Sequence, residues 1–308
     1  VLGPTKPRGG PTGMILRHGT VAATWGDLAR ADMTFSVAKS YLAILAGLAL
    51  KDGLIEDVHE LVAKTALDDH FTSPQNCDVT WHHLLQQTSE WEGTLWGKPD
   101  LIDRNRQLGE NADNTRKGQP RVLGPPGSFW EYNDVRVNRL SLSLLHLFRR
   151  PLADVLKERI MIPLGASDNW SWNAYRNAVA TVDGVPMPSV PGGSHWGGGL
   201  WIGARDQALL GQLILQRGAW NGRQLISTDW LDAMFKPCPL NSEYGYMWWL
   251  NTDRVRYPAA SIRALAAVGA GGNTILIDAT HDLVLVVRWL DGLALNPLIE
   301  QTIAAIAE

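Results

Sequence analysis

Phe35-Ser36-Val37-Ala38-Lys39-Ser40 opens an apolar run that continues to Lys51, and this stretch decides how the chain is read. Val37, Ala38, Leu42, Leu45, Ala46, Leu48 and Ala49 leave almost no polar face, which predicts a helix buried centrally rather than lying on the surface. Gly53 is well placed to end it. Ser36 and Lys39 stand three residues apart at its start, so hydroxyl and amine share one face, a turn apart. A serine hydroxyl is a poor nucleophile at neutral pH, and a close, partly desolvated amine is one way to activate it. The helix start adds unpaired N–H groups and a positive dipole end where an oxyanion would form. On the tetrapeptide alone, a helix-capping serine followed by a surface lysine is the commoner arrangement.

At 308 residues the chain can bury a large core, as one domain or as two sharing a cleft. It is 45% hydrophobic and 19% charged with a net charge of -3, and it has no dense Lys/Arg block, which argues against a nucleic-acid partner. Fourteen tryptophans suit both a large core and an apolar substrate pocket. Cys77 and Cys238 lie far apart and form no C-x-x-C, which speaks against a disulfide framework and a zinc site. The longest apolar run, Tyr41 to Leu50, is too short to span a bilayer, and nothing reads as a signal peptide. The chain starts at Val1 rather than at a methionine, consistent with truncation or processing; the compartment is open, with a lean towards the cytoplasm.

Met14 to Arg17 and Val21 to Trp25 read as a strand hairpin around His18-Gly19. From about Glu56 to Val190 strand signals nearly vanish; Val79 to Gln87 and Asn138 to Phe148 have helical character, and the charged Leu101 to Arg121 reads as a mobile flap. Helices resume at Arg205 to Arg217 and Thr228 to Phe235. Strands are expected at Tyr244 to Leu250, Ile262 to Ala267, Thr274 to Asp278 and Leu283 to Trp289, with a last helix from Pro297 to Ala307. Strands at both ends around a helical middle predict an α+β fold, its antiparallel sheet built from both termini and flanked by helices. The expected division is residues 1–55 with 195–308 as the sheet domain, 56–194 as an inserted, mainly helical domain, and Pro186 to Gly199 as the return passage.

Two further stretches carry chemistry. In Gly127-Ser128-Phe129-Trp130-Glu131-Tyr132-Asn133-Asp134, Tyr132 sits at a loop-to-helix junction, where it can hold a proton or simply pack. In Ala267-Val268-Gly269-Ala270-Gly271-Gly272-Asn273, between two strands, glycines permit close backbone approach and an N–H can complete an oxyanion hole; a tight bend without chemistry fits equally.

The order, spacing and flanks of these three stretches resemble the serine β-lactamase-like superfamily, in its class C β-lactamase, esterase and aminohexanoate-oligomer hydrolase branch. Trp81 to Ser89 is similar to that family's H-L-L-x-x-T-S-G segment. Gly197-Gly198-Gly199-Leu200-Trp201 with Ala204-Arg205-Asp206 is similar to its glycine-rich return, and Gly245 to Trp249 also fits. The resemblance covers nearly the whole chain from about Gly13. It implies Ser36 as nucleophile, Lys39 as partner amine, Tyr132 as general acid/base, and the N–H groups of Ser36 and Ala270 as the oxyanion hole. It further implies a small ester or amide substrate, with neither metal nor organic cofactor; a homo-oligomer is open. Trp91, Trp96 and Trp196, with Gly269 and Gly271, flank the expected cleft as substrate-contact candidates.

Two departures stand out. Asp134 replaces the asparagine of the family's Y-x-N, and a carboxylate near Lys39 favours the ammonium, which shifts the proton acceptor towards Tyr132. Ala267-Val268-Gly269 lacks the cation of K-T-G or H-x-G, which in β-lactamases and D,D-peptidases helps hold the substrate carboxylate; the resemblance therefore points away from those activities, towards esters or amides lacking that contact. A catalytically silent scaffold or binding protein is the alternative from another class.

Overall fold

Asn273–Asp278 and Leu283–Arg288 are buried at every position, because the sheet they form is covered on both faces. In the computed structural model, which describes residues 1–109 and 111–307, six strands form one antiparallel sheet. Its order is Trp249–Leu250, Leu265–Gly269, Asn273–Asp278, Leu283–Arg288, Thr12–Arg17 and Thr20–Trp25. The first hairpin thus completes a sheet begun by the C-terminal strands, with Met14 opposite Val286 and Leu16 opposite Val284.

Period-two alternation sorts the side chains. Met14, Leu16, Ala267, Ile275, Ile277, Val284 and Val286 share a core with the helices Val37–Lys51 and Ala204–Leu215. Ile15, Ala266, Leu276, Leu285 and Val287 face the other way, where Ile299 of the helix Gly292–Ala307 seals them. The architecture is that expected from the sequence: an antiparallel sheet between helices, with both termini contributing strands. Every residue of the central helix from Val37 to Ala49 is buried, as its missing polar face requires.

Several boundaries differ from expectation. Only Trp249–Leu250 of Tyr244 to Leu250 is strand: Met247 adopts a left-handed φ of 58°, and Gly245 N–H bonds Trp248 O at 2.9 Å, closing a turn. The next strand runs Leu265–Gly269 rather than from Ile262, and the last helix starts at Gly292, ahead of Pro297. Between residues 56 and 190 short strands do occur. Ser171–Asn173 joins Gly199–Ile202 and Asp32–Met33 in a small sheet, and Val179–Val182 pairs with Val185–Pro188. Among the described residues, no helix is long and apolar enough to cross a membrane.

The expected flap is tied down on its inner side. Asn105 N–H bonds Glu131 at 2.8 Å, Lys117 pairs with Asp103 at 3.2 Å, and Arg121 holds Glu90. Beneath it lies a buried ion network. Arg136, 2% exposed, bonds Glu90 at 3.0 Å, Asp100 at 3.2 Å and Trp91 O at 2.9 Å, and its charge lies 3.2 Å from the Glu131 carboxylate. This cluster fixes the segment from which Tyr132 and Asp134 project. Removing one partner of a buried charge cluster strands the others, so Arg136→Ala is expected to lower unfolding free energy by about 3–5 kcal/mol in urea titration. A loss under about 1 kcal/mol would show that the network does not hold this segment.

Candidate active site

Phe35 turns the chain into the central helix with a left-handed φ of 52°, a conformation costing a bulky residue on the order of 1–2 kcal/mol. Its ring meets Trp289 edge-on at 6.0 Å, which helps hold the turn. Ser36 follows at the N-cap position, yet its side chain makes no capping hydrogen bond. Lys39 Nζ instead donates to Ser36 Oγ at 2.7 Å. The capping arrangement suggested by the tetrapeptide alone is therefore not what forms. The first helical amides find turn carbonyls, Ala38 N–H to Phe35 O at 3.1 Å and Lys39 N–H to Ser36 O at 3.0 Å. The Ser36 amide has no protein acceptor among the described residues.

Lys39 is 1% exposed and also donates to the Asp134 carboxylate. Asp134 begins the helix Asp134–Phe148, which Asn133 caps through its side chain onto the amides of Val135 and Arg136. Asn133 is itself held by Gln87, whose Oε1 accepts from Asn133 N–H at 2.9 Å while its Nε2 donates to Tyr244 OH at 2.9 Å. Gln87 is free to do this because it leaves the helix Trp81–Gln86 in a left-handed conformation.

Asp134 collects three donors. Besides Lys39, Arg106 Nη1 reaches Oδ2 at 2.6 Å and His195 Nε2 contacts the same oxygen. Burial disfavours the Asp134 charge, but Lys39, His195 and Arg106 together outweigh it and hold the carboxyl well below the usual range. Burial likewise works against the Lys39 charge, and Asp134 overcomes it, so the ammonium is held above its ordinary value. Ser36 thus receives a hydrogen bond from a lysine that is charged.

Tyr132 is 4% exposed, its ring stacked on Trp249 at 5.9 Å and edge-on to Tyr244 at 6.3 Å. Lys39 Nζ lies 4.8 Å from the ring centre and the Arg106 guanidinium 5.3 Å. The third stretch meets the first directly: a Cβ added to Gly269 would lie 3.1 Å from Ser36 N and 2.0 Å from Thr34 O, so only glycine allows this approach. Ala270 follows in an exposed turn, and its amide has no protein acceptor among the described residues. Asn273 braces that turn by donating to Ala270 O at 2.6 Å, and buried Arg288 braces Asn273 at 2.7 Å. Gly271 rests on Trp289.

The three tryptophans separate. Trp91 is wholly buried, stacked on His70 with its Nε1 bonded to His70 O at 3.1 Å, and has no surface to offer a substrate. Its place as a contact candidate is corrected: its ring fills the space beneath Gly93. Trp96 packs edge-on to Tyr175 at 5.9 Å, and Trp196 meets the same tyrosine at 5.8 Å while lining a cavity beside Phe35.

Sequence reading missed Arg106, His195 and Gly193. A Cβ on Gly193 would press on Asp134 Oδ1 at 3.3 Å and Lys39 Nζ at 3.4 Å, so the return passage lies directly against the ion pair. A signal existed: a buried Lys–Asp pair leaves one carboxylate oxygen needing donors, and charged Asp103 to Arg106 and His195 beside the glycine run were the available sources. Asp103, Asp134 and His195 also place three possible metal-ligand atoms within 4.8 Å of one another. Lys39, Arg106 and Lys117 already set three positive charges on those two carboxylates, a setting that repels a divalent cation.

The chain belongs to the beta-lactamase family, whose model matches residues 15–289. Solved structures of similar fold include a putative 6-aminohexanoate-dimer hydrolase from Bacillus anthracis. It is 18% identical with a TM-score of 0.64, over 96% of this chain and 77% of that one. The hydrolase EstCE1, with promiscuous acyltransferase activity, is 16% identical with a TM-score of 0.66, over 95% and 92%. A penicillin binding protein from Bacillus halodurans is 17% identical with a TM-score of 0.65, over 94% and 95%. No curated protein matches by sequence.

Asp134 tests the electrostatics. With its folded value depressed, the stabilisation it provides is fully present above the unfolded value of about 3.9 and is lost as pH falls through the folded value. Asp134→Asn is expected to cost about 3–5 kcal/mol between pH 5 and 7, a gap that narrows below pH 4, where the unfolded chain's Asp134 binds a proton that the folded carboxylate still resists. A gap independent of pH in urea titrations would contradict the assignment.

Proposed function

We propose that the chain is a serine hydrolase that cleaves a small ester or amide through an acyl-serine intermediate. The observation that carries this reading is the Ser36–Lys39–Asp134 chain, in which the serine at a helix start forgoes capping to accept from a buried ammonium. Ser36, Lys39 and Ala270 come from the proposed sheet domain (residues 1–55 and 195–308), Tyr132 and Asp134 from the proposed helical one (56–194), so the site joins the two.

Ser36 Oγ attacks the carbonyl carbon. Because Lys39 donates to Oγ and is kept charged, it steadies the developing alkoxide, and the serine's proton passes to Tyr132. To take that proton Tyr132 enters the step as a phenolate and leaves it as the neutral phenol; Lys39 and Arg106, at 4.8 and 5.3 Å from its ring centre, are the cations beside it. The carbonyl oxygen, now an oxyanion, takes hydrogen bonds from the Ser36 and Ala270 amides. Collapse breaks the bond to the leaving group, which receives the proton from Tyr132. Water then adds to the acyl-serine, gives its proton back through the same tyrosine, and releases acid and free Ser36. His195 and Arg106 act by keeping Asp134 ionised.

The lactam-cleaving reading is the less favoured one. Ala267, where the family's cation would stand, is fully buried in the apolar core and offers no charge to a substrate carboxylate.

A fluorophosphonate probe is expected to label wild type on Ser36, located by peptide mass spectrometry, and to leave Ser36→Ala unlabelled. Tyr132→Phe and Lys39→Ala should slow labelling by about 10²-fold or more. Wild type left unlabelled beside a reactive member of the family would sink the enzyme reading; a label elsewhere, or a reactive Ser36→Ala, would sink the nucleophile.

A further inference from the structure

Beside the Ser36 turn lies a cavity of about 450 Å³, within the range of small-molecule sites. Phe35, Trp196, Trp201 and Trp289 give it aromatic walls. It touches the proposed machinery on each side: Phe35 precedes Ser36, Trp289 supports Gly271 next to Ala270, and Trp196 follows His195 on Asp134.

The roof is the chain's own first segment. Leu2 and Gly3 amides bond Trp196 O at 2.7 and 2.9 Å, Gly198 N–H bonds Pro4 O at 2.8 Å, and Gly9 N–H bonds Asp32 at 2.8 Å. Lys6 and Arg8 of this segment both line the cavity. The Lys6 ammonium lies 4.9 Å over Trp201 and the Arg8 guanidinium 5.4 Å over Trp289.

Their charges are not equally committed. Asp32, at the cavity floor and 3% exposed, is engaged by Arg30 and by Trp289 Nε1 at 3.0 Å each, with Lys6 at 3.9 Å from its other oxygen. Lys6 also donates to Ala31 O. Arg8 has no carboxylate partner among the described residues. The lining therefore offers aromatic surface, an uncommitted guanidinium and a buried Asp32 Oδ1 without a hydrogen-bond partner; with Lys6, Arg8 and Arg30 set against that single carboxylate, the charge balance suits an apolar chain or ring that ends in an anion.

We infer that this cavity is the recognition pocket of the reaction proposed above, and that it takes a hydrophobic group ending in a carboxylate, read by Arg8. A carboxylate on guanidinium gains charge-assisted hydrogen bonds, while the hydrocarbon covers the indoles. A chain ending in an ammonium would instead need Asp32, which already faces Arg30 and Lys6. The inference rests on the hydrolase reading only for the step after binding.

The test separates the two. Intrinsic tryptophan fluorescence of Ser36→Ala protein is titrated with 5-phenylvalerate, 5-phenylpentanol and 5-phenylpentylamine. The carboxylate is expected to bind about tenfold tighter than the alcohol, and Arg8→Ala to remove that margin while Arg8→Lys keeps part of it. Trp201→Ala should weaken acid and alcohol alike, and in wild type the acid should slow fluorophosphonate labelling of Ser36. Equal binding of acid and alcohol, tighter binding of the amine, or a margin untouched by Arg8→Ala overturns the pocket assignment even if Ser36 is labelled. The expected binding pattern in a protein whose Ser36 never labels upholds the pocket and overturns the hydrolase reading alone.

Discussion

The ion pair between Lys39 and Asp134 is the constraint on which the site depends. Both groups are almost fully buried, and a charge removed from water persists only when paired and hydrogen-bonded. That requirement reaches outward: Asp134 needs Arg106 and His195, Arg106 needs the pinned loop from Asp100, and that loop needs the Arg136 network beneath it. It also reaches inward. A lysine committed to Asp134 meets Ser36 as an ammonium donor rather than as a free amine, which in the proposed mechanism leaves proton acceptance to Tyr132.

The fold serves this pair by bringing distant segments together. The central helix supplies Ser36 and Lys39 against the sheet, and Gly269 lets the strand end lie on the Ser36 turn. The Asp134 helix packs alongside and delivers the counter-charge, while the return passage presses Gly193 onto the pair. Close approach from three directions explains why small residues gather here: a side chain on either glycine would occupy space already held by catalytic candidates.

Much of this was legible in the sequence because it follows from local pattern. The run from Val37 shows no polar face, the strand-forming runs lie at both ends of the chain, and the Asp134 substitution announces a charge beside Lys39. The parts that escaped depend on distant partners. Arg106 sits in a polar stretch that looks like a flap until its inner side meets Asp134. Tyr244 to Leu250 is aromatic enough for a strand, yet a left-handed Met247 turns it so that its carbonyl accepts from Ser40 at 2.8 Å. Trp91 and Trp196 look alike in sequence, and only burial separates a core indole from one that lines a cavity.

The central claim is that Lys39 works as a charge held by Asp134. Its most direct test is an NMR titration of protein carrying ε-¹³C lysine, with the Lys39 signal assigned by its loss in Lys39→Arg. The account predicts an ammonium shift that stays constant from pH 6 through about pH 10, the ordinary lysine range. A Lys39 signal that titrates near neutrality would show a free amine, and would return the role of base from Tyr132 to the lysine.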